Sequence, residues 1–499
     1  MTKARDIRII ALGAAVVVSG ISALAAVNLT RSAPNTTLDA APNRSSLPLK
    51  AQTASLLQPA TPPVVATFTP APIANGTAKQ RGCRTGGVKE INRILPEWVS
   101  VEARDAPRVL EGIVRESHTA TNDNPAFHVS HDWNADVLVD PAYNGLNSDA
   151  NKVEDGERRM EIEWESANFP ARFWPSPGDR AWMLGRWIFD CGHPPYQSEI
   201  HPPKAVAFTR PEPIIFPGDA RPSSSFVTYV YLHGRGGYYK SALTGRNYEF
   251  DIQLPPRPGR FGNLRTAILA LPFGGPSPTL QFVPNSNPPR LHVTYPLSGV
   301  SDPGNTRRFA AVIASAWQSP LTEAIGGTGY RVLRVTLDSI KINNDHDPTF
   351  SGSGEWRLWV RVGGTWLEIG GLSDVDGGDT VKIDKSVELI VPDGGKFGLQ
   401  TSGWEDDCDS SFRSKDSDIN LRDVSIGDLE CEINGNDDIG ILEREYAAND
   451  VRLGAYDESS GRNGDADTNK DFNLRYHIDL VKRFEPRSVV ISPATPPTR

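Results

Sequence analysis

The chain reads as a mostly β protein, a small barrel followed by β-sandwich domains. Three observations predict this. Gly and Pro, 44 and 41 of 499 residues, punctuate short apolar runs. Many of those runs alternate apolar and polar with period two. Helical periodicity is scarce: only Arg308 to Trp317, with Phe309, Val312, Ile313 and Ala316 at helical spacing, predicts a helix.

The chain opens with Lys3, Arg5 and Arg8 ahead of the uncharged run Ile9 to Val27, in which Ala23-Leu24-Ala25 offers a cleavage pattern. Residues 1–27 are therefore a signal peptide or an uncleaved membrane anchor, and either address exports the rest. Residues 28–80 are rich in Ala, Pro and Thr, too poor in large apolar groups to fold, and read as a disordered stalk.

Residues 81–210 form the first folded unit. Leu110 to Val114 is a strand with a bend at Gly112, and Ala135 to Asp140 is another. Met160 to Trp164 alternates strictly, with Glu161, Glu163 and Glu165 on one face. Gly178-Asp179 turns the chain into the long strand Arg180 to Phe189, and Lys204 to Thr209 is the last strand. Five short strands predict an OB-like barrel, with Trp133, Trp164, Trp182 and Trp187 in its core. A proline-rich stretch then marks a boundary, and 211–327 reads as a middle β domain. Residues 328–485 carry seven or eight strands, with a hairpin at Gly363-Gly364, which argues a sandwich. Residues 486–499 are a tail.

Four of the nine histidines fall between Phe127 and Pro203, interleaved with carboxylates. His128, His131, Asp132, His193, Glu199 and His201 are the candidate ligands of a zinc-like transition metal. Two imidazoles and a carboxylate would leave a coordination position for water, and Asp132 or Glu163 could serve as base. The competing reading is a structural network of turn-capping Asp and Asn. Cysteines occur at 83, 191, 408 and 431. Their positions favour Cys83–Cys191 and Cys408–Cys431 disulfides in an exported chain, while Cys191 beside His193 leaves a thiolate ligand open. With Asp132-Trp133-Asn134, Asp190-Cys191-Gly192-His193 and Glu199-Ile200-His201-Pro202-Pro203, this region resembles a set of uncharacterised secreted bacterial proteins. That resemblance implies one site and no particular activity.

The last unit carries acidic loops: Asn343 to Asp347, Trp404 to Asp409 and Asn434 to Asp438. Asp345, Asp347, Glu405, Asp406, Asp407 and Asp437 are candidate calcium ligands, because calcium takes six to eight oxygens from flexible loops. The loop pattern resembles C2-like calcium-binding sandwiches, which implies calcium and a C2-like fold for 328–485. Asp465 to Asp471 has alternating oxygens, but Lys470 and Tyr476 stand where an EF-hand needs Gly and Glu; a solvated hairpin turn is expected.

A net charge of −9 and a pI near 5.6 offer no basic field, so no nucleic-acid partner is expected. Signature motifs of serine hydrolases, zincins and P-loop enzymes are absent. Two functions stay in view. The first is an exported metal-binding protein acting in surface binding or adhesion, its partner a cell-surface or extracellular ligand, glycans included. The alternative is an exported metal-dependent hydrolase with its site in the first domain.

Overall fold

A computed structural model describes residues 98–100, 107–119, 132–164, 170–190, 197–233, 247–257, 263–300, 308–318, 328–345, 353–405, 439–461 and 470–486. The N-terminal address, the stalk, all four cysteines and the tail after residue 486 lie outside them. What is described is almost entirely β, and among the described residues no helix is long and apolar enough to cross a membrane.

The first strands are β1 (Trp98–Ser100), β2 (Pro107–Thr119), β3 (Trp133–Val139), the two-residue β4 (Val153–Glu154) and β5 (Glu157–Arg158), β6 (Met160–Trp164), β7 (Arg180–Asp190) and β8 (Ser198–Pro211). β7, β2, β3, β6 and β8 pair in that order, and β8 returns to β7, closing a five-stranded barrel. All barrel pairings are antiparallel except β6 with β8, where Glu161 faces Glu199 and Ile162 faces Ile200 in parallel register. This is the OB-like barrel the sequence predicts.

Gly112 does not simply mark a bend. β2 bulges between Val114 and Glu116 instead, and Gly112 lets the backbones of β2 and β3 approach closely. A Cβ added there would sit 2.3 Å from the Leu138 carbonyl oxygen and 2.6 Å from a Val137 methyl. Gly112→Ala is therefore expected to cost about 1–3 kcal/mol by overpacking. Urea denaturation checks this, and an unchanged midpoint would refute the close approach.

The barrel sheet continues past β8. β9 (Phe226–His233), β10 (Tyr248–Gln253), β11 (Asn263–Ala270), β12 (Thr279–Val283), β13 (Arg290–Tyr295) and β14 (Arg308–Gln318) follow. β8 pairs β9, β9 pairs β14 and β14 pairs β11, so the proline-rich segment joins two hydrogen-bonded strands. A three-stranded sheet, β10-β13-β12, packs on this extension.

The predicted helix at Arg308 to Trp317 is overturned: this segment is β14. Phe309, Ala311 and Ile313 enter the core under the three-stranded sheet, whereas Ala310 and Val312 enter the barrel-side core. A strand buried on both faces is apolar throughout and has no period of its own, so its apolar residues matched helical spacing by chance.

The last unit contains β15 (Tyr330–Ile342), β16 (Gly354–Val362), β17 (Thr365–Ile369), β18 (Ser373–Val375), β19 (Thr380–Pro392), β20 (Lys396–Glu405), β21 (Glu443–Ala447), β22 (Gly454–Ser459) and β23 (Phe472–Phe484). Sheets β19-β15-β23-β22 and β17-β16-β20-β21 enclose a shared apolar core, forming the expected sandwich. Gly363-Gly364 makes the β16–β17 hairpin, with Gly363 at φ +60°. Asp471 is buried at the β22–β23 connection, where its carbonyl accepts the Asn343 and Asn344 amides.

The tryptophans divide differently from the expectation that four fill the barrel. Trp133, Trp164 and Trp187 do so. Trp182 faces outward from the barrel and stacks on Phe250, 4.4 Å between ring centroids, in the neighbouring core. Trp133 reaches the last sandwich, where it stacks on Trp174 at 3.6 Å and meets the edge of Trp366 at 4.8 Å. Trp359 and Trp404 extend this aromatic seam. The alternation of β7 explains the departure: Met183 and Trp182 must serve opposite faces, and both faces are covered.

Candidate metal centre

β3 sends Trp133, Ala135 and Val137 into the core, so Asn134 and Asp136 take the opposite face, which Asp132 continues. β6 does the same with Ile162 inward and Glu161 and Glu163 outward, and β8 with Ile200 inward and Glu199 and His201 outward. Register then aligns these polar residues into rows. Glu116, Asp136, Glu161 and Glu199 are successive cross-strand partners over β2, β3, β6 and β8. His118, Asn134 and Glu163 form the next row, which His201 completes.

At the β6–β8 end the groups converge. His201 Nδ1 lies 2.7 Å from a Glu163 carboxylate oxygen and 3.9 Å from one of Glu199. Asp132, Glu163 and His201 bring one ligand atom each within 4.8 Å of one another. Their exposures are 0%, 8% and 2%, and that of Glu199 is 3%. Burial pushes the Glu199 carboxyl well above the usual carboxylate range. Negative charge on Asp190, Glu161 and Glu163 adds to this, as does a hydrogen bond to Glu163. Gathering so many carboxylates away from water calls for protons or a cation. One imidazole and two carboxylates suit zinc or a neighbouring transition metal.

The start of β8 is fixed from outside. Asn151 Oδ1 accepts the Ser148 amide at 2.7 Å and the Ser198 hydroxyl at 2.8 Å, while its Nδ2 donates to the Ser198 carbonyl at 2.8 Å. Glu161 accepts from Asn134 Nδ2 at 2.5 Å and from Gln197 Nε2.

A second group, Glu116, His118 and Asp136, lies at the β2 end of the same face. Here the protein supplies its own cations. Lys152 Nζ sits 2.9 Å from Asp136, 3.1 Å from Glu154 and 3.3 Å from Glu116, and Arg159 reaches Glu116 at 2.5 Å. Burial opposes charge on Lys152, but its bond to Asp136 and the surrounding carboxylates hold its pKa above the lysine range.

Of the ligands expected from sequence, Asp132, Glu199 and His201 come to this one face. His128, His131 and His193 lie outside the described residues. Glu163, expected as a base at most, converges with Asp132 and His201; the strict alternation of Met160 to Trp164 was its signal. Asp190, whose Asp190-x-x-His193 word the sequence sets beside Glu199 and His201, also crowds the site, as does Glu161, which sequence reasoning did not anticipate.

In the last sandwich, Asp345 Oδ2 accepts the Gly377 amide at 2.8 Å and buried Glu405 accepts the Glu355 amide at 3.2 Å. Asp347, Asp406, Asp407 and Asp437 lie outside the described residues. Among the described residues, no three acidic or histidine side chains of this sandwich converge closely enough to hold a cation. Neither a protein-family model nor a curated protein matches this chain.

Proposed function

We propose that the protein is an exported metal-binding protein that engages an extracellular ligand, with a transition metal held on Asp132, Glu163 and His201. The buried convergence of those three groups beside Glu199 carries the reading. The basic and apolar N-terminal segment supports export. The polar face belongs to the second and third strands of the barrel, the face on which OB-like barrels take oligonucleotides or oligosaccharides. Its rows of carboxylates repel a polyanion, so an uncharged polyhydroxyl chain, a glycan, is the ligand class that fits.

The full chain, recovered from an oxidising compartment, is expected to carry one equivalent of a transition metal by mass spectrometry. Glu163→Gln/His201→Ala should carry none. Zinc at about 100 times its Kd should stabilise the wild type by about 2.7 kcal/mol and leave the variant unchanged. Metal-free wild type, or equal metal in both, rejects the site. One observation favours a second reading, a hydrolase: three protein ligands leave coordination positions for water, with the Glu199 carboxyl close by. Metal-dependent turnover of phosphoester or glycan substrates in the same preparations would select that reading, and its absence the first.

A further inference from the structure

We infer that the last sandwich is a positioning element of the barrel's metal centre, with Trp366 setting Asp132 through Trp133. The inference rests on the metal reading above. Asp132 and Trp133 are adjacent, and on an extended backbone their side chains leave opposite faces. A shift of the backbone that follows a displaced Trp133 indole therefore carries the Asp132 carboxylate with it.

That indole is fixed largely by groups distant in sequence. Its Nε1 donates to Ser117 Oγ at 3.1 Å, and its ring stacks on Trp174 and meets Trp366 edge-on. Trp366, on β17 of the sandwich, is locked in turn: its Nε1 donates to the Pro175 carbonyl at 3.0 Å and its ring is buried. A second anchor acts one strand away. Thr119, the cross-strand partner of Trp133, donates its amide to Ser402 Oγ of β20 at 3.1 Å. Both strands that frame Asp132 thus end against the sandwich.

Metal–oxygen bonds to carboxylates span about 2.0–2.2 Å, and a working site tolerates about 0.5 Å of misplacement. Removing the Trp366 ring opens a space larger than that on one side of Trp133.

Cobalt(II) titration of the full chain, followed by its visible absorption, tests this. Trp366→Ala should weaken cobalt binding ~10–100-fold, the range for groups that orient ligands from behind. Trp366→Phe, which retains a ring against Trp133, should recover most of the affinity. Trp356→Ala provides the control for stability. Trp356 is buried in the same sandwich against Phe472, away from Trp133, so its loss should leave cobalt affinity unchanged below the melting transition. Should Trp366→Ala fail to fold, Trp366→Leu replaces it. No cobalt binding by the wild type rejects the metal reading itself. Wild-type affinity in the Trp366 variants, or an equal loss in Trp356→Ala, overturns the positioning role alone.

Discussion

Arg210→Met is expected to destabilise the protein by about 3–5 kcal/mol, because it leaves a buried carboxylate without its partner. Arg210 donates to Asp179 Oδ2 at 2.6 Å and to the Trp174 carbonyl at 3.2 Å, and both side chains are almost fully buried. Burial pushes the Asp179 pKa up to about 6 even though Arg210, the Ser176 amide and Arg361 all favour its charged form. A raised carboxylate contributes most stability below its unfolded pKa, ~3.9. That contribution is lost as pH rises through the folded value, about 6.

Without Arg210 the folded pKa rises further. The deficit of Arg210→Met relative to wild type should therefore grow between pH 5 and pH 8. The double variant Asp179→Asn/Arg210→Met should recover most of the loss, since the amide oxygen can still accept the Ser176 N–H seen at 2.8 Å. Urea denaturation at the two pH values decides; a deficit that does not depend on pH would sink the idea.

Trp359→Ala is the second large effect, about 3–5 kcal/mol for truncating a fully buried indole. Trp359 sits on β16 of the sandwich, yet belongs to the core that fills the barrel. Its ring lies 4.8 Å from Trp174 and 5.1 Å from Trp404, with the Arg357 guanidinium 5.1 Å above it. Aromatic pairs add about 0.5–1.5 kcal/mol each to area burial. Because this seam joins barrel to sandwich, the wild type should melt in one calorimetric transition and Trp359→Ala in two. Two transitions in the wild type, or a cost below about 1 kcal/mol, would show that the seam couples nothing.

Local pattern carried the sequence reading a long way. Met160 to Trp164 alternates and is β6; Gly178-Asp179 precedes β7; Gly363-Gly364 is a hairpin. Pattern failed where burial has no period, as in β14. It also could not show which strands pair. The parallel register of Glu161 with Glu199 is what brings Glu163 to His201, and no local signal encodes it. Residue type alone marked Asp132, Glu199 and His201, since imidazole and carboxylate in one short region are a ligand set. The seam was illegible for a related reason: Trp133 and Trp366 read as core residues of separate units, and only the fold sets one against the other.

Strands covered on both sides also constrain how this chain can diverge. Along β8, Ala205 and Ala207 serve one core while Val206 and Phe208 serve the other, and β14 is divided in the same way. Neither strand has a neutral face on which substitutions can accumulate. In β10, by contrast, every second residue is at least partly open to solvent. Descendants of this sequence should therefore drift at alternate sites of β10 while β8 and β14 change little, or only through paired replacements on opposite layers.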